Sequence, residues 1–295
     1  MTAPPLKARF TGGRSRDDPA IPLTPVTLRR ADPQLHDAVL AWYDRAGRDL
    51  PWRGTRDPYA ILVSEVMAQQ TQVARVVPYY ERWMERWPTV AALAGAAPAD
   101  VLRAWVGLGY NVRALRLHAA ARILARDGWP REAAGLRALP GVGAYTAAAV
   151  ASFAFGQLVA AVDTNVRRVA GRIGLEPSAL LPSRRVADWN QAAMELGATI
   201  CTARAPCCET CPAAPWCDSR GRAATEPPRA GSRPAGRFED SDRWVRGRIV
   251  AALAAGEDLP AGIEPDRLGR ALEGLERDGL VERSGRGVGL PRRPR

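Results

Sequence analysis

All five cysteines of the 295-residue chain lie between Cys201 and Cys217. Four of them, Cys201, Cys208, Cys211 and Cys217, form a C-x6-C-x2-C-x5-C pattern that leaves Cys207 over. Four thiolates in one short loop can enclose a tetrahedral zinc ion or a cubane iron–sulfur cluster. Structural zinc sites more often use two C-x2-C pairs, and this loop has one. Spacing alone therefore predicts a metal site, and it leaves Cys207 as an alternative to Cys208.

Two carboxylates lie in contexts suited to acid-assisted cleavage of a glycosidic bond. Glu65 follows the apolar run Ile61–Val63, and partial burial there would raise its pKa and keep a proton available. Asp163 directly precedes a helical stretch that starts at Thr164, where it would cap the helix and stay ionised. An ionised carboxylate stabilises an oxocarbenium-like transition state. The alternatives are a solvent-facing glutamate and a purely structural cap.

The segment Leu139–Gly143 joins two helical stretches and contains two glycines. Such glycines let a backbone approach a phosphate and aim N–H groups at it, ahead of a helix N-terminus that favours negative charge. Contacts of this kind bind DNA irrespective of its sequence. The same residues are equally compatible with an ordinary helix–helix turn.

The charge balance indicates a polyanionic partner. The formal net charge is +11 and the sequence pI is near 10.3, which favours nucleic acid first and an anionic membrane surface second. No run of eighteen apolar residues could span a membrane, and no secretory signal is visible, so we expect a cytoplasmic, nucleoid-associated protein. Clustered cysteines in such a protein favour metal over disulfides. Lys7 is the only lysine.

The elements that must position these residues are helices, because strand-like alternation is scarce from His36 to about Gly197. We therefore predict an all-α fold, with a helical unit over 35–217 that includes the cysteine loop 201–217. Asp57 and Pro58 are typical of a helix start. Prolines are expected to divide the following stretch into short helices, at Pro78, Pro88, Pro98 and Pro130.

The two ends of the chain differ from this unit. Residues 1–34, rich in proline, glycine, arginine and aspartate, predict a disordered tail. Residues 218–237 predict a linker. In 238–295, two apolar stripes at helical spacing precede Asp278-Gly279 and a short hairpin pattern around Gly285 and Gly287. Two helices and a hairpin predict a small winged-helix-like module.

Taken in order, these motifs resemble the MutY-like adenine DNA glycosylases of the helix-hairpin-helix, endonuclease III superfamily, from about Ala41 to Cys217. The matching stretches are Arg48–Arg53, Val63–Met67, Gln69–Val73, Gly107–Tyr110, Leu139–Tyr145, Asp163–Val169 and Asn190–Ala192. The resemblance implies excision of adenine mispaired with 8-oxoguanine or guanine in double-stranded DNA, in base excision repair. It also implies a [4Fe–4S] cluster held by Cys201, Cys208, Cys211 and Cys217, and we expect a monomer.

The resemblance also assigns roles to individual residues. Glu65 would protonate the adenine leaving group, and Asp163 would stabilise or capture the sugar cation, supported by Tyr145 and Asn165. The residues expected to contact the extruded adenine or the DNA around it are Arg48, Trp52, Gln70, Tyr110, Gln191 and the hairpin Gly141, Val142 and Gly143. Taken singly, Trp52 and Tyr110 could be core aromatics, Arg48 a surface cation and Gln70 a solvated helix residue.

This chain departs from the family pattern in two informative ways. Thr164 stands where glycine is common, as it does in the endonuclease III branch, and no Nudix-like C-terminal domain is visible. The alternatives are therefore an endonuclease III-like glycosylase and a non-catalytic iron–sulfur DNA-binding regulator. A lyase would need a lysine amine where Tyr145 stands, and Lys7 in the predicted tail is the only lysine.

Overall fold

The computed structural model describes residues 30–222, 237–285 and 287–292. In this part of the chain the fold is all-α apart from one hairpin, as predicted. The helices are α1 (Pro33–Ala46), α2 (Pro58–Ala68), α3 (Val73–Arg86), α4 (Val90–Ala94), α5 (Pro98–Trp105), α6 (Val112–Asp127), α7 (Ala133–Arg137), α8 (Ala144–Phe155), α9 (Thr164–Ile173), α10 (Val186–Thr199), α11 (Asp242–Ala255) and α12 (Pro265–Arg277). Strands β1 (Glu282–Ser284) and β2 (Gly287–Gly289) pair antiparallel.

Helix boundaries follow local capping chemistry. The Asp57 carboxylate accepts hydrogen bonds from the N–H groups of Tyr59 and Ala60, and Pro58 occupies the first position of α2, as predicted. Asp32 caps α1 in the same way. Helix α1 therefore begins at Pro33, inside the segment 1–34 predicted as a disordered tail. Residues 1–29 of that tail lie outside the described residues.

The prediction that Pro78 separates two helices was wrong, because Pro78 lies inside α3. It is the sixth residue of the helix, so it removes only the hydrogen bond to the carbonyl of Ala74 in the first turn. Both residues are exposed, and water can satisfy that carbonyl. The other three prolines do fall between helices or at a helix start, with Pro98 opening α5.

Two apolar clusters build the body. In the larger one, α2 and α8 are buried on nearly all sides, including every residue of Thr146–Phe153. The smaller cluster joins α1, α9 and α10, with Leu35, Val169 and Trp189 among its buried side chains. Because α2 belongs to one cluster and α9 to the other, the carboxylates predicted on them face the space between.

The C-terminal segment contains the two helices and the hairpin predicted for it. Val245 and Ile249 of α11 are fully buried in the same continuous core as α2 and α8, and α11 contacts α5. Most of the predicted linker 218–237, namely 223–236, lies outside the described residues, as do 293–295 at the basic end. No helix in the described ranges is long and apolar enough to cross a membrane.

Candidate active site

A cavity of about 510 Å³ lies between the two clusters, lined by α2, α8, α9, α10 and the loop after α1. Eight of the predicted site residues line it: Arg48, Trp52, Glu65, Gln70, Tyr145, Asp163, Asn165 and Gln191. Residues that sequence reasoning missed also line it, among them Arg53, Met194 and Glu195. Residues as distant in the sequence as Arg48 and Glu195 therefore meet at one opening that could admit an extruded base.

Glu65 lies deep in this cavity. The pKa of its carboxyl group is raised to about 7: burial is the main cause, a hydrogen bond with Tyr145 opposes it, and the nearby Asp163 carboxylate adds to it. The Tyr145 hydroxyl also contacts the sulfur of Met194 at 3.0 Å. A carboxyl group with this pKa holds a proton in a large fraction of molecules at neutral pH, as a general acid must.

Asp163 is the N-cap of α9. One of its carboxylate oxygens accepts from the N–H of Val166 at 2.7 Å, and the other accepts from the side-chain amide of Asn165 at 2.9 Å. The two hydrogen bonds fix the direction of the carboxylate, and the helix N-terminus stabilises its negative charge. Asp163 therefore both caps α9 and places a carboxylate beside Glu65.

The cavity rim carries a buried ion-pair network. Glu195 is fully buried and accepts from Arg48 at 2.6 and 2.9 Å and from Arg53 at 2.5 Å. Burial alone would raise the pKa of Glu195, but hydrogen bonds from both arginines outweigh it and lower that pKa. Two cations share one carboxylate, so the group of Arg48, Arg53 and Glu195 keeps a net positive charge.

Gln191 lies on the same side of the cavity. Its side-chain oxygen accepts a hydrogen bond from the hydroxyl of Tyr43 at 3.0 Å, and the Tyr43 ring in turn lies under the guanidinium of Arg53. These contacts hold the Gln191 amide in a fixed position at the wall. Trp52 meets the ring of Tyr80 edge to face with centroids 5.1 Å apart, which fixes its indole at the opening.

Two loops near the opening are held by one buried arginine. Arg113, 8% exposed, donates to the carbonyls of Val66, Met67 and Gln69 and, through its other terminal nitrogen, to those of Leu108 and Gly109. Burial lowers its pKa to about 10, so it remains charged at neutral pH. Gln70 and Tyr110, which directly follow the bonded carbonyls of Gln69 and Gly109, both have left-handed backbones, with φ of 55° and 48°.

Tyr110 and the hairpin lie outside the cavity lining. Tyr110 is 39% exposed on the loop next to the cavity opening. Between α7 and α8, Gly141 has a φ of +77°, and its position leaves no room for a Cβ against Arg116. The N–H of Val142 donates to the carbonyl of Leu139 at 3.1 Å, which closes the turn. Gly143 is exposed and serves as the N-cap of α8.

The cysteine loop packs against α9. Burial raises the pKa values of Cys211 and Cys217, and the neighbouring Cys201 and Cys208 act in the same direction. Cys207 is exposed. The four predicted thiols line one small cavity, and Cys207 lines it as well. Among the described residues, no three His, Cys, Asp or Glu side chains converge as ligands of a single metal ion would.

Two arginines of α9 link this loop to the active site, and sequence reasoning missed both. Arg168 donates to the carbonyl of Cys201 at 2.8 Å and to the side chain of Asn165 at 2.8 Å, and Asn165 bonds Asp163. Arg172 donates to the sulfur of Cys201 at 3.3 Å. A continuous chain of hydrogen bonds therefore joins the cysteine loop to the Asp163 carboxylate.

Comparison with known proteins places this geometry in a class. The model of the HhH-GPD superfamily of base excision DNA repair proteins matches residues 63–185. A thermostable thymine-DNA glycosylase superposes with a TM-score of 0.58 at 29% identity, over 63% of this chain and 95% of that one. Endonuclease III in a non-covalent complex with DNA superposes with a TM-score of 0.53 at 25% identity, over 62% and 91%. The fold and the site define a helix-hairpin-helix DNA glycosylase.

Sequence relatives narrow the class further. The adenine DNA glycosylase of Mycolicibacterium smegmatis is 43% identical over 275 residues, 84% of this chain and 93% of the relative. The Mycobacterium tuberculosis enzyme is 46% identical over 275 residues, 83% and 90%, and the Homo sapiens enzyme is 46% identical over 217 residues, 64% and 40%. The chain belongs to the adenine DNA glycosylase family.

Proposed function

We propose that this protein hydrolyses the N-glycosidic bond of adenine paired with 8-oxoguanine or guanine in duplex DNA, acting as a monomer. The observation that carries the proposal is the pairing of Glu65, with a pKa of about 7, and the hydrogen-bonded carboxylate of Asp163 at one cavity. Family membership supports adenine as the base. The cavity of about 510 Å³ is large enough for an extruded base.

The proposed chemistry uses the two carboxyl groups in different protonation states. Glu65 transfers its proton to the adenine ring as the bond from the base to C1′ of the sugar breaks, and the bonding electrons leave with the base. Asp163 stabilises the cation that develops on the sugar, and water then adds to C1′ and loses a proton, which completes a hydrolysis. Arg48, Trp52 and Gln191 are proposed to border the extruded base.

A Schiff-base lyase step has no support in this chain. It needs a neutral amine at the sugar, and the position facing Glu65 is occupied by the Tyr145 phenol. The only lysine, Lys7, lies in the N-terminal segment outside the described residues. Borohydride treatment of enzyme with an abasic product is therefore expected to trap little covalent adduct.

The four thiols Cys201, Cys208, Cys211 and Cys217 are proposed to hold a [4Fe–4S] cluster. Their common cavity and the N–H donated by Arg172 to the Cys201 sulfur support this assignment, because such donors stabilise cluster sulfurs. A bound cluster would supply a rigid crosslink within the loop. Arg168 connects this loop to Asn165 through its hydrogen bonds.

The test is single-turnover cleavage of duplexes carrying adenine opposite 8-oxoguanine, adenine opposite guanine, and thymine opposite guanine. We expect excision from the first two and none from the third. Excision of thymine, or of oxidised pyrimidines in place of adenine, would contradict the proposal. The ratio of the rates on the first two duplexes measures the preference for the opposite base.

A further inference from the structure

Three large apolar side chains are exposed in the described chain, and two of them flank one guanidinium. These are Tyr110, 39% exposed, and Phe238, 51% exposed. The guanidinium carbon of Arg243, in α11, lies 4.6 Å from the centroid of the Tyr110 ring and 5.0 Å from that of Phe238. Arg243 also donates to the Tyr110 hydroxyl at 2.5 Å. We call this set the Tyr110–Arg243–Phe238 stack.

Both sides of the stack are held firmly by the fold. Helix α11 buries Val245 and Ile249 completely and contacts α5, which leads directly into the loop of Tyr110. On the other side, the turn at Phe238 is fixed because the Ser241 hydroxyl donates to the Phe238 carbonyl at 2.6 Å, and Arg267 donates to the Ser241 carbonyl at 3.0 Å. The exposed rings are therefore rigidly placed.

The stack lies one loop away from the active-site cavity. Thr71 lines the cavity, and its hydroxyl contacts the carbonyl of Leu108 at 3.4 Å, two residues before Tyr110. Arg113 donates to both loops. A duplex that places a nucleotide in the cavity must therefore lie close to Tyr110 and to the side chains packed against it, Arg243 and Phe238.

From these observations we infer that Arg243 of α11 holds the Tyr110 ring in position for its expected contact with duplex DNA, and that Phe238 extends the stacking surface beside it. The inference rests on the proposed function for the presence of DNA at the cavity. The solvent-facing surface of two exposed aromatic side chains joined by a guanidinium suits contact with a base next to an extruded nucleotide. The chain's net charge of +11 favours the same partner.

Arg243 acts in this arrangement through its planar shape as well as its charge. A lysine would keep the charge at this position but could not lie flat between two rings or keep the same fork of donors. The stacking surface and a simple phosphate contact therefore predict different results for Arg243→Lys. Arg248, exposed on the same helix and placed over Trp244 instead, offers a charge-matched control.

The test measures binding of full-length variants to a duplex with a tetrahydrofuran abasic analogue opposite guanine and 2-aminopurine next to the analogue. We expect Phe238→Ala, Arg243→Ala and Arg243→Lys each to weaken binding about tenfold and to reduce the change in 2-aminopurine fluorescence. Arg248→Ala should leave that fluorescence change as in the wild type. The salt slope of binding should be unchanged in Arg243→Lys.

Wild-type behaviour of Arg243→Lys would overturn the inference, because Arg243 would then act as a charge alone. Wild-type binding by Phe238→Ala would overturn it as well, and that exposed side chain can be removed without loss of core packing. A lower melting temperature of Arg243→Ala with an unchanged 2-aminopurine fluorescence change would show that Arg243 only stabilises the fold. That result would overturn the inference. Adenine excision assayed separately on the wild type shows whether the proposed function itself fails.

Discussion

Arg113 donates a hydrogen bond to the carbonyl oxygen of Gln69 at 2.5 Å, directly before the left-handed backbone of Gln70. The same guanidinium binds the loop that precedes Tyr110. One buried cation thus sets the shape of two loops near the cavity. It does so through backbone carbonyl oxygens, which carry partial negative charge.

Replacing this cation tests its role in both loops. Arg113→Met keeps much of the volume but leaves several buried carbonyls without donors, which costs about 1–3 kcal/mol for each one not reached by water. We expect a clear drop in melting temperature. Backbone amides in both loops should lose protection and exchange faster, as measured by hydrogen exchange. Arg126→Met, an exposed arginine on the same helix, is the control. Unchanged protection in the loop of Tyr110 would contradict the prediction.

Glu65→Gln tests the general acid. The amide cannot donate the proton, so single-turnover adenine excision should fall about a hundred- to ten-thousand-fold, while duplex binding is retained. In the wild type, the rate should decline as pH rises above about 7, because Glu65 loses its proton there. Glu85→Gln, an exposed change on α3, is the matched control. A near wild-type rate for Glu65→Gln would show that another group is the acid.

The raised pKa of Glu65 also has a cost in stability. The folded pKa of about 7 exceeds the ordinary 4.5, so the wild type is most stable relative to Glu65→Gln below pH 4.5 and loses that advantage as pH rises to about 7. The loss should approach about 3 kcal/mol, at 1.36 kcal/mol per pKa unit. Denaturant unfolding of both proteins from pH 4 to 9 measures it. A pH-independent difference would mean that the carboxyl is not desolvated.

Much of the active site could be predicted from local pattern, because capping and apolar context act over a few residues. Asp57, Asp163 and Glu65 are examples. Arg113 and Glu195 could not be predicted, since a charged residue in a helix ordinarily faces water, and their partners come from distant segments. The contact of α11 with α5 was equally invisible, because it joins residues about 140 positions apart. The prediction at Pro78 was wrong because the energetic cost of a proline depends on its position in the helix.

Glu195→Gln tests the ion-pair network at the rim. Removing the charge leaves Arg48 and Arg53 without their shared anion, and breaking a buried pair in this way costs about 3–5 kcal/mol. Because the pKa of Glu195 is lowered, its contribution is present above pH 4.5 and is lost as pH falls below that value. Unfolding of wild type and variant should therefore converge in acid. Glu176→Gln provides an exposed control on another segment. A difference in unfolding free energy between wild type and Glu195→Gln that persists at low pH would contradict the role given to Glu195.

The cysteines can be separated by paired substitutions. Cys211→Ser should lower iron content and folded yield, because it removes one of the four neighbouring thiols, whereas Cys207→Ser should leave both near wild type. Elemental analysis and charge-transfer absorption of purified protein provide the measurement. Zinc without iron in the wild type, or iron loss in Cys207→Ser, would contradict the assignment.

The left-handed backbones of Gln70 and Tyr110 have a consequence for the kinetics of encounter with DNA. Non-glycine residues in this region are strained, by about 1 kcal/mol or more each, and here folding and Arg113 supply the compensation before any ligand arrives. Preorganised loops lose little conformational entropy on association. We therefore expect the association rate to follow diffusion and ionic strength, with no slow rearrangement step, so that differences among substrates arise after the first contact.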